Sequence, residues 1–151
     1  MSEAGATSDE IREANRALVE RYFSCVAAGD PGVGELFAED AVWLAPQSTP
    51  MGRRHEGKGA VLTLMGGGMD LYSAEHPFEI HREAMAAEGD RVFVELTIET
   101  RTAQGEPYRN HYVFVFRIRD GRIAEVHEHV DTLYAQRLLF DPAGQRSPLD
   151  D

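Results

Sequence analysis

The 151-residue chain is long enough to bury one core and too short for two comfortable domains. Acidic residues outnumber basic ones 26 to 15 and the arginines are scattered, so the chain offers no footprint for nucleic acid or an anionic membrane surface. The lone Cys25 excludes a disulfide framework and a cysteine-based metal site, and neither a signal peptide nor a run of membrane-spanning length occurs. A soluble, cytoplasmic protein is the expectation.

Ile11, Leu18, Tyr22, Phe23 and Val26 recur at helical spacing and predict a long amphipathic helix over 8–28, capped by Ser8 or Asp9 and stopped by Gly29. Pro31 opens a short second helix to Phe37, and residues 41–45 form a strand ended by Pro46, with Trp43 and Ala45 on one face. Residues 47–59 read as a loop. A helix from about Lys58 to Met65 is expected to end in Gly66-Gly67-Gly68, where the nearby Met51, Met65 and Met69 suggest an adaptable wall, either a lid or an ordinary flexible loop.

Strands are predicted over 76–85 and 91–101, then over two alternating arms on either side of Asp120-Gly121, and Asp131 or Thr132 caps a last helix over 133–139. Helices first and a meander of strands later give an α+β domain over 8–140, with 1–7 and 141–151 as flexible termini.

The hairpin arms, YRNHYVFVFRIRDGRIAEVHEHVDT from Tyr108 to Thr132, carry the candidate chemistry. A two-residue Asp120-Gly121 loop sets Phe114 opposite His127 and mixes apolar and charged residues on both faces. A three-residue loop, Arg119 to Gly121, pairs Phe114 with Val126 and Tyr112 with Glu128 and segregates the faces, so it is the expected register. One face then holds Asn110, Tyr112, Phe114, Phe116, Val126, Glu128 and Val130. A carboxyl set in such an apolar wall loses water, which raises its pKa and makes Glu128 the candidate general acid or base. Tyr112 is placed to hydrogen-bond that carboxylate or a substrate oxygen, and Asn110 to orient either. The bland alternative is a buried Glu128–Tyr112 pair without chemistry.

The opposite face carries His111, His127 and His129, with His111 opposite His129. Three imidazoles can hold zinc, but no carboxylate or cysteine clearly joins them, so a solvated or subunit-contacting face is expected and no metal is assigned. Glu95 and Glu99 alternate with Val94, Leu96 and Ile98 and read as a solvated strand face. No serine sits in a nucleophile elbow.

The segments ERYFSCVAAGD, LFAEDAVWLAP, HEGKGAV and NHYVFVFRIRDGRIAEVHEHVDT, in that order, resemble the SnoaL-like branch of the nuclear-transport-factor-2-like superfamily, which includes ketosteroid-isomerase-related proteins. The resemblance runs from about Ile11 to Phe140. It implies a cone, with a strongly curved antiparallel sheet wrapped around the long N-terminal helix, a single deep apolar pocket, and commonly a homodimer packed through the sheet. Polyketide cyclases and limonene-epoxide hydrolases of this group carry a catalytic carboxylate at the position of Glu128.

The oxyanion-hole tyrosine of ketosteroid isomerases matches Tyr22, but their two catalytic acids fall on Ala45 and Phe114. The remaining epoxide-hydrolase positions fall near Glu95, Thr97, Trp43 and Ala45, and this chain departs at all four. The resemblance thus implies a cofactor-free acid/base enzyme of cyclase, isomerase or dehydratase type on a hydrophobic small molecule. Glu128, Tyr112 and Tyr22 would do the chemistry, and Asn110, Trp43, Phe114, Phe116, Val126 and Val130 would shape the site. The alternative is a non-catalytic binding or assembly module in the same pocket.

Overall fold

The computed structural model describes residues 5–140, so the expected flexible segments 1–7 and 141–151 lie outside the described residues except for 5–7. Helix α1, Ser8–Ala28, starts at Thr7, whose hydroxyl accepts from the Glu10 N–H while the Glu10 carboxylate accepts from the Thr7 N–H. Thr7, rather than Ser8 or Asp9, is the cap because it alone stands three residues before a glutamate, which makes the exchange reciprocal. Gly29 ends the helix at φ 63°, a left-handed conformation that costs glycine little. Leu18, Val19, Tyr22 and Phe23 are buried, whereas Ile11 stays in solvent. Asn15 donates to the Gly89 carbonyl and Arg16 to that of Met85, tying α1 to the sheet.

A 3-10 turn, Pro31–Leu36, leads into β1, Phe37–Ala45, which begins four residues earlier than the sequence indicates and buries Ala41, Trp43 and Ala45 on one face. Strand β2, Arg53–Glu56, lies within the expected loop. It is an exposed edge strand paired only with β1, so its residues carry no apolar alternation. Helix α2, Lys58–Met69, runs through all three glycines instead of ending at Met65.

Strands β3, Glu79–Glu88, and β4, Arg91–Arg101, follow, then β5, Pro107–Arg119, and β6, Arg122–Val130. The order across the curved, unclosed sheet is β2-β1-β6-β5-β4-β3. Neighbours are antiparallel, as expected, except β1 and β6, which run parallel. Helix α3, Thr132–Ala135, is capped by the Asp131 side chain and passes into a π-helical turn, Gln136–Phe140.

The hairpin register differs from the expected one. The loop is the two-residue Asp120-Gly121 turn, with φ 51° and 72°, the positive pair a type I′ turn requires. Arg119 pairs with Arg122 and Ile118 with Ile123. The register then shifts by one residue at Ala124, so that Arg117 meets Glu125, Phe116 meets Val126, Phe114 meets Glu128 and Tyr112 meets Val130. That bulge restores the segregation of faces which an unbroken two-residue hairpin would destroy. The inward set is therefore as expected, but Glu128 lies opposite Phe114 rather than Tyr112.

The three glycines of α2 have no visible steric need. A Cβ on Gly66 or Gly68 meets nothing within 4 Å, and one on Gly67 meets only the Met51 methyl at 3.8 Å. Each glycine in a helix interior costs roughly 0.5–1 kcal/mol relative to alanine. Gly66→Ala, Gly67→Ala and Gly68→Ala are each expected to raise stability by about that amount, read as a higher urea midpoint at unchanged m-value.

Candidate active site

The concave face of the sheet, α1, α2 and the final turn enclose a cavity of about 180 Å³. Its wall is apolar for most of its extent, with Phe23 and Val26 from α1, Leu64, Met65 and Met69 from α2, Leu96 and Ile98 from β4, and Leu139 and Phe140 from the last turn. Polar groups reach it from Tyr22, Trp43, Thr49, Tyr72, Tyr112 and Glu128.

Glu128 is brought inward by the Ala124 bulge and meets Trp43, which β1 supplies from the neighbouring parallel strand. Its Oε1 accepts a hydrogen bond from the indole Nε1–H at 3.1 Å. Burial pushes the Glu128 carboxyl above the ordinary carboxylate range, and the Trp43 hydrogen bond opposes this in part by favouring the ionised form. The residue as a whole is half-buried because it also borders a solvent-open groove beside His127 and His129. A desolvated carboxyl with a single N–H donor, facing an apolar cavity, holds its proton to higher pH than an exposed one and is placed to take up or give a proton there.

Tyr22 lines the same cavity. Burial, and then the nearby Glu128 carboxylate, push its phenol pKa up, so it stays protonated as a hydrogen-bond donor. Tyr112 is buried and its hydroxyl lies 2.5 Å from that of Tyr108 and 3.4 Å from that of Tyr72. Its bonds therefore run to other tyrosines, and the Glu128–Tyr112 pair anticipated from the sequence is replaced by Glu128–Trp43. The two-residue shift in register is the cause, since it sets Val130 opposite Tyr112.

Trp43, Phe114 and Val130 line the cavity, while Phe116 and Val126 are fully buried behind it, in a cluster where Phe116 contacts the rings of Tyr22 and Phe23. Asn110 is also buried outside the wall, donating to the Tyr108 hydroxyl at 3.1 Å and the Asp131 carbonyl at 3.1 Å.

Tyr72 and Tyr108 are the polar participants that sequence reasoning missed. Tyr72 falls between α2 and β3, where no periodic pattern marks a face. Tyr108 had a signal, because it precedes Asn110 and Tyr112 at strand spacing and therefore shares their face.

The histidines do not assemble. His129 lies opposite Val113 and His127 opposite Val115, with their rings 4.2 Å apart, while His111 sits opposite Thr97 near Glu83 and Glu95. The expected His111–His129 pairing is thus corrected by the same register shift. Among the described residues, two exposed groups, Glu79, His81 and Glu99, and Glu83, Glu95 and His111, each bring three potential ligand atoms within 4.8 Å of one another. Both lie on the outer face, away from the cavity, where Glu95 and Glu99 are exposed as expected.

The model of the SnoaL-like domain matches residues 19–126. No curated protein matches. Among solved structures, a nuclear-transport-factor-2-like protein from Burkholderia xenovorans LB400 is similar at 25% identity and a TM-score of 0.71, covering 85% of this chain and 97% of its own. A protein named as a SnoaL-like polyketide cyclase from Jannaschia sp. CCS1 is similar at 18% identity and a TM-score of 0.75, covering 89% and 97%. TerC, co-crystallised with polyporic acid, is similar at 18% identity and a TM-score of 0.73, covering 83% and 98%. Among the described residues, no helix is long and apolar enough to cross a membrane.

Because the native state holds the Glu128 proton more tightly than the unfolded chain, stability from this group is complete below the ordinary carboxylate value of 4.5 and is lost as pH rises through the native value. Nuclear magnetic resonance titration of the Glu128 carboxyl is expected to give a midpoint above 4.5, moved higher still by Trp43→Phe, which removes the N–H donor. Glu128→Gln is expected to flatten the fall of stability with pH over that window. A Glu128 midpoint at or below the ordinary value would refute the assignment of a desolvated carboxyl.

Proposed function

The chain belongs to the SnoaL-like domain family of the nuclear-transport-factor-2-like superfamily, and on that footing we propose that it is a cofactor-independent acid/base enzyme of cyclase, isomerase or dehydratase type acting on a hydrophobic, polyketide-like or polycyclic small molecule. The observation that carries this reading is Glu128, a carboxyl desolvated in an apolar cavity and given one hydrogen bond by Trp43. Ionised, Glu128 removes a proton from an acidic C–H beside a substrate carbonyl; neutral, it returns that proton to another position of the same molecule. Tyr112 supplies a hydroxyl for the oxygen on which negative charge develops, and Tyr22 is a second protonated donor on the same wall. Trp43, Phe114 and Val130 shape the apolar side of the substrate, while Phe116 and Val126 hold that wall from behind.

The names of the similar proteins support the same class. One is called a polyketide cyclase and another was crystallised with polyporic acid, a ligand of that protein. The second reading, a binding or assembly module without chemistry, uses the same cavity and differs in one measurable respect. With the substrate in hand, Glu128→Gln is expected to lower kcat by about 10²–10⁴-fold while binding changes little. A folded Glu128→Gln protein that turns over at the wild-type rate would leave only the binding module.

We also assign the outer sheet face to a homodimer contact. Phe93, Val115, His127 and Leu44 are successive cross-strand neighbours on β4, β5, β6 and β1, and Phe93 is 40% exposed. Phe93, Val115 and Leu44 give that row an apolar stretch, interrupted by His127, on a face that also carries charged side chains. Light scattering is expected to return a dimer mass for the wild type and a monomer mass for Val115→Glu; a monomeric wild type would remove the assignment.

A further inference from the structure

The hydroxyls around Tyr112 form a chain whose protons can be counted. The Asn110 amide has one orientation, because its Oδ1 accepts from the His111 N–H at 2.9 Å and its Nδ2 donates to the Asp131 carbonyl at 3.1 Å. Flipping the amide would set oxygen against carbonyl and nitrogen against N–H. The second Nδ2 proton is therefore donated to the Tyr108 hydroxyl, at 3.1 Å. Tyr108 meets Tyr112 at 2.5 Å, and Tyr112 meets Tyr72 at 3.4 Å.

Three contacts consume three protons, but four are present, one from Asn110 and one on each tyrosine. Burial raises all three phenol pKa values, so none of them sheds its proton. Thr100, across the strand from Tyr108, takes none either, since its buried hydroxyl has no partner. Tyr108 is fully buried and outside the cavity wall, whereas Tyr72 and Tyr112 both line it. Were Tyr112 to donate to Tyr108, the Tyr108 proton would be buried with no acceptor, so Tyr108 donates to Tyr112 and the spare hydroxyl proton falls on Tyr112 or Tyr72, at the cavity.

We infer that the occupant of this cavity presents a hydrogen-bond-accepting oxygen, of ketone, quinone or enolate type, to the Tyr72–Tyr112 hydroxyl pair, and that Asn110 is the positioning residue that forces this pair to donate. The inference rests on reading the cavity as the substrate site and adds a specificity residue, Tyr72, together with a requirement on the ligand. It also moves Asn110 from substrate contact to control of polarity. An apolar site with an unmatched donor favours a ligand that supplies the acceptor over one of the same shape that lacks it.

The test uses 1-tetralone, labelled with carbon-13 at its carbonyl, and the hydrocarbon tetralin. The two are followed by calorimetry, and the ketone also by difference infrared spectroscopy. Wild-type protein is expected to bind the ketone about tenfold more tightly than the hydrocarbon, one net hydrogen bond's worth. The bound carbonyl stretch should fall below its value in cyclohexane. Tyr72→Phe/Tyr112→Phe should return the stretch to the cyclohexane value with tetralin affinity changed less than about twofold. Tyr22→Phe should keep the shift.

Asn110→Asp replaces the donor by an acceptor. Tyr108 then donates to the new carboxylate, Tyr112 to Tyr108 and Tyr72 to Tyr112, so no proton is spare and the shift should vanish; should that variant not fold, the double phenylalanine variant decides alone. An unshifted carbonyl in the wild type, or a shift that survives in the double variant, overturns the inference. Tetralin binding with no preference for the ketone sinks it while leaving the apolar-cavity reading intact, whereas failure of both probes to bind overturns that reading and the inference together.

Discussion

One extra residue in β6, Ala124, decides which side of the sheet Glu128 faces. Side chains alternate along a strand, so an unbroken ladder from the Asp120-Gly121 turn would carry Glu128 to the outer surface and bring His127 and His129 inside. The bulge cancels that parity. Ile118 and Ile123 pair inward near the turn, Phe116 and Val126 pair inward beyond it, and Glu128 follows them toward the cavity. Trp43 can reach it there because β1 runs parallel to β6 at that level. The acid, its donor and the segregation of apolar from charged faces all depend on a single local irregularity.

The candidate site owes its character to unequal treatment of its polar groups. Glu128 keeps one N–H donor, too little to offset its loss of water fully, and so holds its proton more tightly than an exposed carboxyl does. The tyrosines are arranged oppositely: each gains hydroxyl partners and each is pushed to higher pKa by burial, so they remain donors over the pH range in which Glu128 titrates. A carboxyl with a raised pKa thus stands among phenols that stay protonated, the division of labour that the proposed acid/base chemistry would use.

Much of this was legible in the chain. The strand Arg91–Arg101 and both arms of the hairpin show their alternation directly, and the set of inward residues follows from the requirement that apolar and charged faces separate. What the residues do not encode locally is the means of separation. A longer loop and a bulge satisfy the same pattern, and they differ by two residues in which side chains meet, enough to exchange Tyr112 for Phe114 as the neighbour of Glu128. Strand β2 was invisible because an exposed edge strand has no apolar side to show. Tyr72 was invisible because its place in the wall is set by tertiary packing, between α2 and β3, and by no periodicity of its own. Helix α2 persists through three glycines against propensity because the residues around them pack: Val61 is buried, and Met65 and Met69 close the cavity.

That glycine run bears on how anything enters. A volume of about 180 Å³ is below the roughly 300–1,000 Å³ of typical small-molecule pockets, so a polycyclic occupant requires a wall to yield. The α2 segment brings to that wall glycines that forgo helix stability and methionine side chains that repack at low cost. Binding of such an occupant would then be linked to a conformational equilibrium of α2. Under that linkage affinity would scale with the fraction of molecules in which α2 has yielded, and a sequence that closed the helix more firmly would trade rigidity against weaker apparent binding.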